Sequence, residues 1–567
     1  MQRRQRNPRL FPAATEPRQR SASAGRQLTP ELRPVGLSSR GSRPGAVEGI
    51  TLALLMLVVV QVTVGPAVMS LGTDEAWVLN GLRSLLEPRV PDLSTELISS
   101  NGGLFAIASI VLEWIAPGSI VVHKLLSVSC LFGAWFVSLR LVRRFAISFL
   151  TKGWTSVVIS PLLMLPGLVD VGTAALGTSC AILLLVSSVT VWTDDELSTV
   201  RKVLGAGVMF GLAVGSRLDV ALFAPAFFVS ALFFRLQSRR FDWSVLPMLT
   251  VAAVLIVLNS YSQTWSAVPI DLHATAGARG FANWYFDYPK LLNQFSTGLS
   301  LFAPAVAAAI VVATWWPRTA PSRPEGEHRQ WRQLRILQSM LLVGGVCMGL
   351  GWLFRAPIPH LRYLWPTLFC FALLGSLVMA GLLDQALRGA DARRILLCHI
   401  FASIALAGAV AGNMRALINA DSDILSWEWS HEMAYDYFRR FVAKSDQASA
   451  AQFVTQLDPA STTVYSAVPF ALRYLARRAV VDMVDGSALR RVTPRQGYIV
   501  LTPINGALIE MSTEGRQWIS DNTKLVAQFG RYSIYKVEGV GVELPPSVIT
   551  RRTSYSGHPL SSNWFGR

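Results

Sequence analysis

Asp74 and Glu75 stand side by side in Met69-Ser-Leu-Gly-Thr-Asp-Glu-Ala-Trp77, immediately after the first long apolar run of the chain. Carboxylates at the edge of hydrocarbon are costly to keep and more often functional there than in a soluble loop. One so placed can take the proton from a hydroxyl group, and Asp74 is the expected base, with Glu75 orienting hydroxyls of the reactants. The pair also suits the N-terminus of an interfacial helix, where acidic residues complement the dipole. Cations for an anionic partner lie at other apolar boundaries: Arg217 and Arg362 first, then Arg355, His360 and Lys124. A guanidinium grips phosphate oxygens through two parallel hydrogen bonds, which puts the two arginines ahead. A boundary arginine can equally snorkel to the headgroups, and Asp219 stands close enough in sequence to neutralise Arg217. Trp284 and Tyr285, in a stretch with His273, Arg279, Asp287 and Tyr288, offer ring faces suited to a sugar, although an interfacial aromatic belt has the same composition. His273 and His431 have no partners at ligand spacing, so no obligatory metal and no other cofactor is expected.

The elements that must position these residues are membrane helices. Of 567 residues, 51% are hydrophobic and 15% charged, and the mean hydropathy is +0.39; a soluble chain of that length does not reach this balance. The net charge of +17 follows membrane topology and not nucleic acid, because the excess sits in an Arg-rich N-terminal tail and in short loops between apolar runs. Cys130, Cys180, Cys347, Cys370 and Cys398 all lie in apolar runs, which leaves no disulfide framework and no zinc spacing.

Residues 1–48 are rich in Arg, Pro, Ser and Gly and read as a disordered basic tail held in the cytoplasm. The run 49–69, about 20 residues, is long enough to cross the bilayer and reads as a retained helix. Further runs near 120–139, 153–169, 173–192, 203–216, 219–234, 245–264, 295–316, 335–353, 361–383 and 395–412 bring the total to about eleven spans. The loops this parity assigns to the cytoplasm, around 140–144, 201–202, 235–240, 318–335 and 388–394, are all basic. The outer face then receives the external loop 70–119, the loop 263–292, the turn 355–362 and everything after Asn413. Reading 203–234 as a single span would reverse every later assignment and turn the basic loops outward. After Asn413 the composition becomes that of a soluble domain. Strand-length runs at Ala479–Val484 and Tyr498–Thr502 alternate with helical patterns at Ala467–Arg478 and Ser512–Asn522, so 413–567 is expected to be a small extracytoplasmic α/β domain.

The stretch 49–144 resembles the start of a membrane glycosyltransferase of the GT-C superfamily, near the dolichyl-phosphate-mannose protein mannosyltransferase and aminoarabinose transferase branch. In that group a first helix leads into a large external loop that opens with an acidic motif, here Gly72-Thr-Asp-Glu-Ala-Trp77. Asn101-Gly-Gly-Leu-Phe-Ala-Ile-Ala-Ser109, Gly211-Leu-Ala-Val-Gly-Ser-Arg217 and His360-Leu-Arg-Tyr-Leu-Trp-Pro366 follow in the same order, and the resemblance extends over 49–413. It implies an α-helical polytopic membrane protein of GT-C type, with 49–412 as the catalytic domain. The implied reaction moves a sugar from a polyprenyl-phosphate donor to a hydroxyl acceptor on a protein, glycan or lipid at the outer face. Asp74 and Glu75 are carried over as its acidic pair. The implied partners are that donor, the acceptor and membrane lipids, with no nucleic acid.

The chemistry is coherent without the family. Phosphate is already a competent leaving group, so the site needs one carboxylate for the acceptor proton and cations for the departing phosphate, and not the paired acid and base of a glycosidase. A secondary transporter or lipid flippase shares the apolar spans, but no two-half repeat is visible and it has little need of the outer domain. A non-catalytic scaffold of an envelope assembly is the third reading. The glycines Gly205, Gly207, Gly211 and Gly215 lie inside an apolar run and suit close helix packing, and Asp194-Asp-Glu196 reads as a solvated cytoplasmic turn. The outer domain has no cysteine and the chain no Asn-x-Ser/Thr site, which favours a bacterial cytoplasmic membrane over the endoplasmic reticulum.

Overall fold

The computed structural model describes most of residues 103–145, 172–238, 241–264, 325–355, 361–387, 446–466, 469–482, 496–501, 509–540 and 549–551, with isolated residues in 75–83 and 161–168. All fall in the compact unit Ala46–Arg567. The expected N-terminal tail, the first span and the spans at 295–316 and 395–412 lie outside the described residues.

The helical part comprises α1 (Gly103–Ile115), α2 (Ile120–Phe145), α3 (Thr178–Trp192), α4 (Thr199–Ser216), α5 (Ala224–Ser238), α6 (Val245–Thr264), α7 (Glu325–Arg355) and α8 (Leu361–Leu387). Among the described residues, Ile120–Val142 and Gln333–Gly351 are long and apolar enough to cross a membrane, and five shorter apolar helical stretches accompany them. These helices stay apolar on the side turned away from their neighbours: Phe136, Leu204, Val254, Val257 and Leu258 are all exposed. A helix that is hydrophobic all round belongs in a core or in lipid, and among the described residues these faces meet no protein core. The apolar stretch 203–234 breaks where its two charges fall. α4 stops at Ser216, Arg217 is extended (φ −153°, ψ 114°), and a 3₁₀ turn, Leu218–Phe223, leads into α5.

Helix packing explains the glycines. α2 packs on α3, α3 on α4 and α4 on α6, while α7 lies against α5 and α8. A Cβ at Gly207 would stand 2.7 Å from the Met248 carbonyl and one at Gly211 2.9 Å from Leu255, so the small residues of α4 let the α6 backbone come close.

The basic and acidic ends agree with one polarity. Arg144 at the end of α2 pairs with Asp194 at 2.8 Å, Lys202 of α4 pairs with Asp195 at 3.3 Å, and Gln333 of α7 also reaches Asp195. Lys124 and Arg144 lie at opposite ends of α2, separated by about 30 Å at the helical rise.

Beyond the bundle, α9 (Asp446–Gln456) and α10 (Pro469–Ala476) pack with a five-stranded sheet. Its strands are β1 (Thr462–Ser466), β2 (Val481–Asp482), β3 (Gln496–Leu501), β5 (Thr523–Phe529) and β6 (Tyr532–Val540), in the order β2-β1-β3-β6-β5. β1 is parallel to β2 and β3, and β6 is antiparallel to both its neighbours. β4 (Ile509–Met511) and β7 (Ile549–Arg551) form a separate pair, and α11 (Thr513–Asn522) precedes β5. α10 serves two cores at once. Ala471 and Tyr474 join the core of the helical bundle, whereas Leu472 and Ala476 join that of the sheet, so its two faces, each read at i and i+3 or i+4, meet different partners.

Candidate active site

Glu75 is completely buried. It lies in a stretch whose described residues, Glu75, Val78, Leu79, Asn80, Leu82 and Arg83, are all helical and all buried. Its Oε2 is 3.3 Å from Nζ of Lys124, itself fully buried in the first turn of α2. Its Oε1 accepts the backbone N–H of Ala175 at 2.5 Å. A buried charge must be paired and hydrogen-bonded to survive, and this carboxylate is both.

The turn that supplies the Ala175 amide is itself held in place. Ser127, one helical turn beyond Lys124, donates to the Ala174 carbonyl at 2.6 Å, and Ser179 of α3 donates back to the Gly172 carbonyl. Gly172 lies under the fully buried Trp365 ring of α8, where a Cβ would come within 3.0 Å. Gly177, the residue before α3, is pressed against α4, and a Cβ there would stand 2.6 Å from the Ser216 carbonyl oxygen. The next residue, Thr178, accepts from Nη1 of Arg217 at 2.6 Å. Arg217 also meets Asp219 through two parallel bonds, Nε to Oδ1 at 3.0 Å and Nη2 to Oδ2 at 2.6 Å. The start of α3 and the end of α4 are thus tied to the turn that supplies the Ala175 amide.

A second buried carboxylate, Glu113, is bound to His123, the residue before Lys124. Glu113, near the end of α1, accepts from Arg83 Nε at 3.1 Å, Arg83 Nη2 at 2.9 Å and the Gly118 amide at 2.9 Å, all at Oε1. Its Oε2 accepts the Tyr474 hydroxyl at 2.7 Å and faces His123 Nε2 at 3.0 Å. The carboxylate has no proton to give, so Nε2 is the protonated nitrogen; Nδ1 of His123 is buried and unpartnered among the described residues. Arg83 also donates to the Tyr474 carbonyl at 2.7 Å, and its guanidinium carbon lies 4.5 Å from the centre of the Tyr474 ring. α1 is 13 residues long, too short to span hydrocarbon. Burial pushes the Glu113 carboxyl up, but hydrogen bonds from His123 and Tyr474, the Arg83 charge and the Gly118 amide outweigh it and hold it at about 2. Burial, and then the Glu113 carboxylate, push the Tyr474 phenol above the ordinary tyrosine range.

Of the residues singled out in the sequence, the structure brings Glu75 and Lys124 together and ties Arg217 to Asp219. Arg355 closes α7 and Arg362 is the second residue of α8, so both flank the connection 356–360. Their side chains lie outside the described residues, as do Asp74, His360, Trp284 and Tyr285. Arg83, Glu113, His123 and Tyr474 were not anticipated. Two signals were available: Glu113 is the only charge in its apolar helix, and His123 with Lys124 opens an otherwise apolar span. Among the described residues no group of His, Cys, Asp or Glu is arranged to hold a metal ion.

No protein-family model and no curated protein matches the sequence. Solved structures do match. ArnT from Cupriavidus metallidurans bound to undecaprenyl phosphate aligns at a TM-score of 0.54 with 12% identity, over 88% of this chain and all of that one. ArnT of the same organism in the apo state aligns at a TM-score of 0.52, with 12% identity, over 87% of this chain and 98% of that one. The chain therefore shares its fold with ArnT, a bundle of helices carrying a small sheet.

Proposed function

We propose that the chain is an integral membrane glycosyltransferase that moves a sugar from a polyprenyl-phosphate donor to a hydroxyl acceptor at the outer face of the membrane. The observation that carries the reading is the wholly buried Glu75–Lys124 pair, directly beside Asp74, on the fold of a protein solved with undecaprenyl phosphate. In this reading 49–412 is the catalytic membrane domain of about eleven spans, and 413–567 the outer domain. The compartment is a bacterial cytoplasmic membrane, with residues 1–48 on the inner side.

Asp74 takes the acceptor O–H proton as the acceptor oxygen bonds to the anomeric carbon. The bond from that carbon to the phosphate oxygen breaks, and its electron pair leaves with the lipid phosphate. General-base assistance of this kind supplies about 10²- to 10⁴-fold in rate. Glu75 binds Lys124 and the Ala175 amide, so it acts by fixing the ammonium near the leaving group. Lys124, with Arg362, Arg355 and His360, neutralises the phosphate. Arg217 joins them only by giving up its two-bond pairing with Asp219. Trp284 and Tyr285 are proposed to face the sugar.

The test is incubation of the purified protein with a panel of radiolabelled polyprenyl-phosphate sugars, following lipid-phosphate release with and without candidate acceptors. Wild type should release lipid phosphate from at least one donor, and Asp74→Asn should fold normally yet lose transfer. Full turnover by that variant removes Asp74 from the mechanism, and no release from any donor removes the reading.

A further inference from the structure

His123 and Lys124 are consecutive residues in the first turn of α2, both completely buried, and each is bound to a different buried carboxylate. An α-helical turn is stiff, so one of these side chains cannot shift its anchor without carrying the other. The carboxylates lead back to a common element. Glu75 lies eight residues before Arg83, in a stretch whose described residues are all helical, and Arg83 binds Glu113. The links close a ring: Glu75 to Lys124, Lys124 to His123 along α2, His123 to Glu113, Glu113 to Arg83, and Arg83 along its stretch to Glu75. Tyr474 of α10, in the proposed outer domain, binds two members of this ring, Glu113 through its hydroxyl and Arg83 through its carbonyl and ring face.

Docking alone does not require this arrangement. Ala471 and the Tyr474 ring already bury apolar surface against the bundle, and replacing a buried ionic cluster with apolar residues is often neutral or stabilising. What a hydrogen-bonded polar ring adds is a fixed geometry. We infer that Glu113, His123 and Tyr474 are positioning residues through which the docked outer domain holds the Lys124 ammonium in register with Glu75. The inference rests on the reading of Lys124 as a ligand of the donor phosphate. It makes the outer domain a working part of the site through one phenolic hydroxyl, with no residue of the domain required to touch the donor.

The full-length protein in lipid nanodiscs is titrated with radiolabelled undecaprenyl phosphate. Tyr474→Phe keeps the ring and removes only the hydroxyl, and it should weaken binding by about three- to tenfold while leaving the melting temperature within a few degrees of wild type. Glu113→Gln should weaken binding in the same direction. In a Lys124→Met background, whose residual binding is set by the other cations, Tyr474→Phe should have no further effect; a domain that merely stabilised the fold would give the same loss in both backgrounds. Lys524→Ala, on the exposed side of β5, should bind as wild type. Wild-type affinity in Tyr474→Phe, or an equal loss with and without Lys124, overturns the inference and leaves the proposed function standing. Absence of binding by wild type overturns both.

Discussion

Glu113 receives five hydrogen bonds from four residues, and each favours its ionised form. Its carboxyl ionises at about 2 in the folded protein against an ordinary 4.5. Between those values the unfolded chain binds the proton and the folded chain does not, so stability falls as the pH falls. The contribution, about 3 kcal/mol, is present in full above pH 4.5 and is lost on the way down to 2. Thermal unfolding of wild type and Glu113→Gln should therefore differ clearly at pH 6 and converge as the pH is lowered from 5 to 3. A gap that stays constant over that interval would mean that Glu113 is not the group responsible. At this scale the sequence was partly legible. Position 75 stood out because two adjacent carboxylates follow an apolar run, whereas Tyr474 was invisible, since a tyrosine in an amphipathic helix carries no sign of the carboxylate it will meet 361 positions earlier.

The elements were easier to anticipate than their contacts. Periodicity placed α2, α3, α6 and α8 near their observed limits, because a long apolar run in a charge-poor chain has few alternatives to a helix. Arg217 and Asp219 marked the break between α4 and α5 because neither charge is easily kept inside an apolar helix without a partner, and each supplies the other's. β1 was not anticipated although the Asp458-Pro459 turn precedes its short run Thr462–Ser466, and its place between β2 and β3 is decided by pairing across the sheet. Close helix packing at Gly207 and Gly211 was legible from glycines recurring within an apolar run, whereas Gly177, in the turn before α3, carried no such signal. Gly177 gives the sharpest test. In Gly177→Ala the methyl group would meet the Ser216 carbonyl at 2.6 Å unless α3 and α4 part. The substitution should cost about 1 to 3 kcal/mol, lower the melting temperature in detergent, and disturb the Thr178–Arg217 bond at the same joint. An unchanged melting temperature would mean that the two helices separate freely there.

On the scale of the whole molecule, one polarity joins the observations. Arg144, Asp194, Asp195, Lys202 and Gln333 gather at one end of the bundle, and Lys124 lies at the other end of α2, where Glu75, Glu113 and α10 meet it. Single cysteines introduced at Asp195 and at Lys524, in a background lacking the native cysteines, should be labelled from opposite sides of sealed vesicles, position 524 from the outside. Labelling of both from one side would break the proposed topology. The 361 positions between Glu113 and Tyr474 also set an order of events in the cell. A ribosome adding about 5 to 20 residues per second needs roughly 20 to 70 s to travel from Glu113 to Tyr474. For that interval the nascent bundle carries Arg83 and Glu113 without the phenol that completes them, so the helices made first wait for a residue translated hundreds of positions later.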